Sequence, residues 1–158
     1  MATQVLGTRT GTSVDVTRQA DDDNETRQLR LRQRILQANA LTGITSGPAL
    51  ALGAAWIAPL VGLDPYPVAR PVLLAVGVSL TLFAILLLWL ARRPVPPAVM
   101  LVIGTLDALW VAASAALLLS RALPLNATGA WIVAIQADVI ALLAAAEFHA
   151  WWRARSAA

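Results

Sequence analysis

Four long apolar runs constrain this chain more than any other feature. They cover residues 42–63, 72–91, 98–120 and 130–152. Each is about 20 residues or longer, the length a helix needs to cross the hydrocarbon core of a bilayer. The breaks between them are short and carry Pro and Arg: Asp64, Pro65 and Pro67 in the first, Arg92, Arg93 and Pro94 in the second, Arg121 and Pro124 in the third. The runs are continuous and lack the period-two alternation of barrel strands, so helices are the spanning form. The expected fold is all-α, a four-helix transmembrane bundle. Composition agrees: 58% of residues are hydrophobic and 13% charged, too little polar surface to coat a soluble core.

The arginines set the expected orientation. Arg27, Arg30, Arg32, Arg34, Arg92, Arg93, Arg153 and Arg155 all fall on one side of a four-span bundle, against Arg70 and Arg121 on the other. Positive charge is enriched on the cytoplasmic side, so both termini are expected there. The first thirty residues lack the apolar core and cleavage site of a secretory signal. Residues 1–23 are polar and aperiodic, and are expected to be a disordered cytoplasmic N-terminus. Asp21 to Glu25 read as a helix start, an Asx cap with acids at the positive helix end. Residues 24–41 then form a basic lead-in helix, 42–152 the bundle and 153–158 a cytoplasmic tail. The net charge of +3 belongs to span-flanking arginines and points to no nucleic acid. The absence of Lys, together with abundant Ala, is a mark of bacterial GC-rich coding, so the expected location is the bacterial inner membrane.

Small residues at four-residue spacing mark the packing faces: Gly43 and Gly47 in the first run, Gly104 and Ala108 in the third. Such faces let helix backbones approach where no hydrophobic effect acts between helices. The second run has few small residues and reads as the most lipid-exposed helix. Pro48 is expected to bend the first. Tyr66, Trp89, Trp131, Trp151 and Trp152 fall near span ends, as interfacial aromatics do, whereas Trp110 sits mid-span and needs a partner for its indole N–H.

Chemistry is scarce. With no Cys and one His, disulfides, thiolate metal sites and multi-His cages are excluded, and no cofactor or metal is expected. No nucleophile elbow, phosphate loop or zinc-protease motif is present, so the chain does not read as an enzyme. Three acids lie in the spans: Asp107, Asp138 and Glu147. A charged carboxylate at the bilayer centre costs about 2.5–3.5 kcal/mol even on permissive insertion scales, so each needs a proton, a hydrogen bond, water or a cation. On the fourth span Asp138 and His149 share one stripe, eleven positions apart. Gln136 and Glu147 share another on roughly the opposite side. Asp107, Trp110, Val111 and Ser114 share a face of the third.

Two functional readings follow. The first is a non-catalytic structural or assembly subunit, with a protein partner or self-association in the bilayer and the acids as neutral polar glue. The second is a small proton- or cation-coupled channel or transporter. Its path would use Asp107 and Asp138 at mid-depth, with Glu147 and His149 near the cytoplasmic exit. A pigment- or haem-associated subunit through His149, flanked by Phe148, Trp151 and Trp152, is a third.

Gly62, Asp64, Pro65 and Pro67, the span ending in Arg92 and Arg93, and Asp107, Trp110 and Ser114 together make residues 34–155 similar to a broad group of four-helix bacterial membrane proteins of DoxX-like appearance. The resemblance implies a four-helix bundle and no activity. In size the chain also looks like small multidrug exporters, but those place their essential acid in the first span, and residues 42–63 hold none.

Overall fold

A computed structural model describes the backbone of residues 11–156, with side chains at 18, 19 and from 23 onward. Four helices account for nearly all of it: α1 (Gly11–Leu60), α2 (Ala69–Ala91), α3 (Pro97–Ser120) and α4 (Ala127–Arg155). Among the described residues there are no strands. All four helices are long and apolar enough to cross a membrane.

The element ends follow local chemistry. Gly62, at φ 88°, turns the chain just after α1, a conformation that favours glycine. Pro97 opens α3 at a position where its missing N–H is no loss. Asn126 caps α4 by accepting a hydrogen bond from Gly129 N at 2.9 Å. The same side chain donates to Leu60 O at 2.9 Å, and Asn126 N donates to Val61 O at 3.0 Å. The α3–α4 connection is thereby tied to the end of α1.

One expectation needs correcting. Residues 11–23 are not a disordered lead: they continue α1 as helix, and Asp21 to Glu25 lie inside it rather than at its start. No Gly or Pro interrupts residues 12–42, and extending a formed helix is far cheaper than nucleating one. Residues 1–10 lie outside the described residues. The 50 residues of α1 rise roughly 75 Å, more than twice a bilayer core, so α1 projects well beyond the bundle at its arginine-rich end.

Helix pairing runs α2–α1–α4–α3. The α1–α2 seam is the tightest. A Cβ built at Gly47 would meet Thr81 N at 2.8 Å, one at Gly43 would meet Leu80 O at 3.1 Å, and Gly77 packs directly on the backbone of Ala51. So α2 does carry the small residues its role requires, Gly77 and Ala84. It is no more exposed than the others, the most apolar stretch of each helix being 17% buried within the protein. On the other side Gly104 of α3 fits against Glu147 and the Ala144 carbonyl of α4.

Side chains pack densely at both ends of the bundle. At the arginine-rich end Leu36, Ala40, Leu87, Ala91, Val95, Met100, Ile103 and Ala150 form one cluster drawn from all four helices. At the other end Ala58, Val61, Leu63 and Ala69 form a second. Between these ends α2 and α3 do not pack along their lengths, and the middle of the bundle stays open.

Candidate functional site

Three polar side chains from three helices meet inside the bundle. Asn39 comes from α1, Asp107 from α3 and Glu147 from α4. Asn39 is 6% exposed, Asp107 6% and Glu147 0%. The Asn39 amide nitrogen carries two hydrogens and donates both: one to Asp107 Oδ2, the other to Glu147 Oε1 at 2.9 Å. The two carboxyl groups lie within hydrogen-bonding reach of each other. Glu147 Oε2 is enclosed without a partner. Gly104 makes the room: a Cβ there would lie 3.2 Å from Glu147 Cβ and 3.5 Å from Oε2.

No cation balances this pair. Among the described residues the one ion pair joins Arg70 and Asp64, at the opposite end and on the surface. The buried arginine, Arg32, bonds the Val95 carbonyl. Among the described residues, two carboxyl groups and one amide thus lie buried together without compensating charge. A proton on either carboxyl gives the pair a donor for the other, and supplies what Glu147 Oε2 lacks.

The cluster is accessible from one direction. Asp107 and Asn39 line a cavity of about 250 Å³ that all four helices enclose. Its polar wall includes Thr42, Ser46 and Gln136, its apolar wall Phe83, Trp110 and Ile140. Ser79 and Leu106, which also line it, are exposed, so the mouth lies between α2 and α3, where those helices stand apart. A second cavity of about 370 Å³ lies beyond Trp110 and Gln136, which line both. Toward the arginine-rich end the buried layer around Leu36, Leu87 and Met100 closes the cluster off.

The other sequence candidates lie elsewhere. Asp138 and His149 are exposed on the outer face of α4, nine and two positions from Glu147. At 100° per residue, nine positions put Asp138 opposite Glu147, so they do not meet in one cavity. Asp107 and Glu147, assigned from sequence to different depths, are direct neighbours. Asp107 lies ten residues into α3 from its arginine-rich end and Glu147 eight from the end of α4, so both sit about 12–15 Å inward. Trp110 is half-buried on the Asp107 face, as its spacing implies. Among the described residues no cluster of three or more His, Cys, Asp or Glu has metal-binding geometry. Sequence reasoning missed Asn39. The available signal was its position four residues before Gly43 and eight before Gly47, on the face that packs inward.

Compared with protein-family models, curated proteins and solved structures, the chain matches none.

Proposed function

We propose that this chain is a proton-coupled carrier for a small lipophilic solute bearing positive charge. The observation that carries the reading is the Asn39–Asp107–Glu147 cluster: two uncompensated carboxyl groups on one amide, at the wall of an intramembrane cavity. Polar glue between helices needs only neutral groups such as Asn or Ser, and two acids are a costly substitute. With both carboxyl groups protonated the pair is neutral and fits the membrane interior. Loss of one of the two protons leaves a single negative charge that a monovalent cation compensates. Binding of the two therefore competes at one place, which is the minimal requirement for exchange. The mouth between α2 and α3 admits solute from the bilayer, and Phe83 and Trp110 offer ring faces to an apolar or cationic body.

Orientation belongs to this proposal. The arginine bias supports both termini in the cytoplasm of a bacterial inner membrane. The apolar layer around Met100 then closes the cytoplasmic side, and a carrier must also visit a state in which that layer opens.

The competing reading is the structural or assembly subunit. It draws support from the same amide, which ties α1 to α3 and α4. Proteoliposomes separate the two. Internal pyranine should report proton movement driven by a gradient of tetraphenylphosphonium. Asp107→Asn and Glu147→Gln should each abolish it, while Asp138→Asn leaves it intact. Proton movement no faster than in protein-free liposomes would favour the structural subunit.

A further inference from the structure

The carrier proposal leaves one charged group unused. Arg32 lies on α1 seven residues before Asn39 and is 7% exposed. Its Nη1 donates to the Val95 carbonyl at 2.7 Å, which pins the α2–α3 connection against α1. Its Nε is enclosed without a partner. Among the described residues no carboxylate lies within ion-pairing distance of it. A buried guanidinium without an anion is costly unless something compensates it.

Arg32 lines a cleft of about 610 Å³ with Gln28, Val95, Pro96 and Ala154, and with Glu25 exposed on its rim. The cleft lies where α2 ends, α3 begins and α4 finishes. Trp89, Trp151 and Trp152 belong to the same level, and the first two carry Arg93 and Arg155 over their rings at 3.8 and 4.9 Å. Tryptophan and arginine together mark the headgroup zone of a bilayer. Pro94, Pro96 and Pro97 stiffen one wall, so the cleft is formed before any ligand arrives. Arg93 and Arg155 adjoin the lining residues Pro94 and Ala154 in sequence and add positive charge at this level, whereas Glu25 is the one acid among the described lining residues.

We infer that the Arg32 cleft binds the phosphodiester headgroup of an anionic glycerophospholipid. The phosphate oxygens take the free guanidinium N–H groups, a charge-assisted contact to which Arg is suited. Gln28 lines the same cleft and brings an amide to its wall, a group that hydrogen-bonds headgroup hydroxyls. The acyl chains run beside α2 and α3 toward the membrane centre. Arg32 also holds the connection between α2 and α3, so lipid bound here braces the end of the bundle that closes the carboxyl pair. This inference needs the helices to lie in a bilayer but not the carrier activity.

Native mass spectrometry of the full chain in detergent tests it, using phosphatidylglycerol, phosphatidylcholine of the same acyl length and inorganic phosphate as probes. One phosphatidylglycerol per chain should persist where phosphatidylcholine is stripped away. Arg32→Gln should weaken retention by about ten-fold or more, the value of one hydrogen bond to a charged group. Arg34→Gln, an exposed neighbour, should leave it within about two-fold. Equal retention of the two lipids overturns the inference, as does equal weakening by both variants. Displacement of the lipid by millimolar phosphate would assign the cleft to a free anion instead. If Arg32→Gln does not fold, hydrogen exchange of the wild type decides: phosphatidylglycerol, and not phosphatidylcholine, should protect residues 28–32 and 95–100, and no protection refutes the site.

Discussion

Replacing Asn39 with Leu removes what holds the two carboxyl groups in place. Leu matches Asn in the number and branching of its side-chain heavy atoms, but its methyl groups are bulkier, so a packing cost of about 1–3 kcal/mol adds to the polar one. What disappears is the pair of hydrogen bonds to Asp107 Oδ2 and Glu147 Oε1. A buried acceptor left without its donor costs about 1–3 kcal/mol, so two stranded acceptors cost roughly 2–6 kcal/mol. No neighbouring donor takes over at Glu147, which is fully enclosed and already has one unpartnered oxygen. The assay is unfolding of the purified protein by dodecyl sulfate in mixed micelles, followed by circular dichroism and by fluorescence of its six Trp. Gln37→Leu, at an exposed site half a turn away, is the control and should stay within about 0.5 kcal/mol of wild type. If Asn39→Leu also stays that close, the amide does not organise the cluster, and the reasoning from it fails.

Three further outcomes follow from the geometry. Glu147→Gln keeps the acceptor for Asn39 and removes one of the two buried acids, so stability should hold or rise by about 1 kcal/mol while proton coupling is lost; a fall of more than about 2 kcal/mol in the same unfolding assay would mean the acid itself is structural. Gly77→Val forces side-chain atoms into the backbone of Ala51 and Gly47 and should destabilise by about 1–3 kcal/mol or prevent folding, whereas Gly53→Ala meets only the Ile57 side chain at 3.1 Å and should be nearly neutral by thermal unfolding. Asn126→Ala removes both the α4 cap and the tie to Leu60, so amide hydrogen exchange should quicken through residues 126–130, with a stability loss of about 1–2 kcal/mol.

The helices were legible in the sequence because their punctuation is strong. Pro and Arg bound each run, and the expected spans 72–91, 98–120 and 130–152 fall within α2, α3 and α4, with ends differing by at most three residues. The start of α1 was not legible. A polar segment attached to a stable helix can stay helical without any apolar stripe of its own, and composition alone does not register that support.

The site was half legible. Spacing on the fourth span separates the Asp138–His149 stripe from the Gln136–Glu147 stripe, but each stripe carries one acid and one polar partner. The choice between them depends on the neighbouring helix. Gly104 leaves space on α3 where Glu147 enters, and no feature of α4 announces that. Asn39 escaped notice for a related reason: it precedes the first continuous apolar run by three residues, where a polar side chain is unremarkable. Its role comes from the height at which α1 is held against α3 and α4, which is a tertiary fact.

The central claim is that a proton and a cationic solute compete for the Asp107–Glu147 pair, and proton release on binding tests it most directly. Tetraphenylphosphonium added to concentrated protein in weakly buffered detergent should liberate protons in the wild type and in Asp138→Asn. The release should disappear in the Asp107→Asn, Glu147→Gln double variant, with the fold intact by circular dichroism. Release of equal size from the double variant, or binding by the wild type with no proton released, would contradict the account.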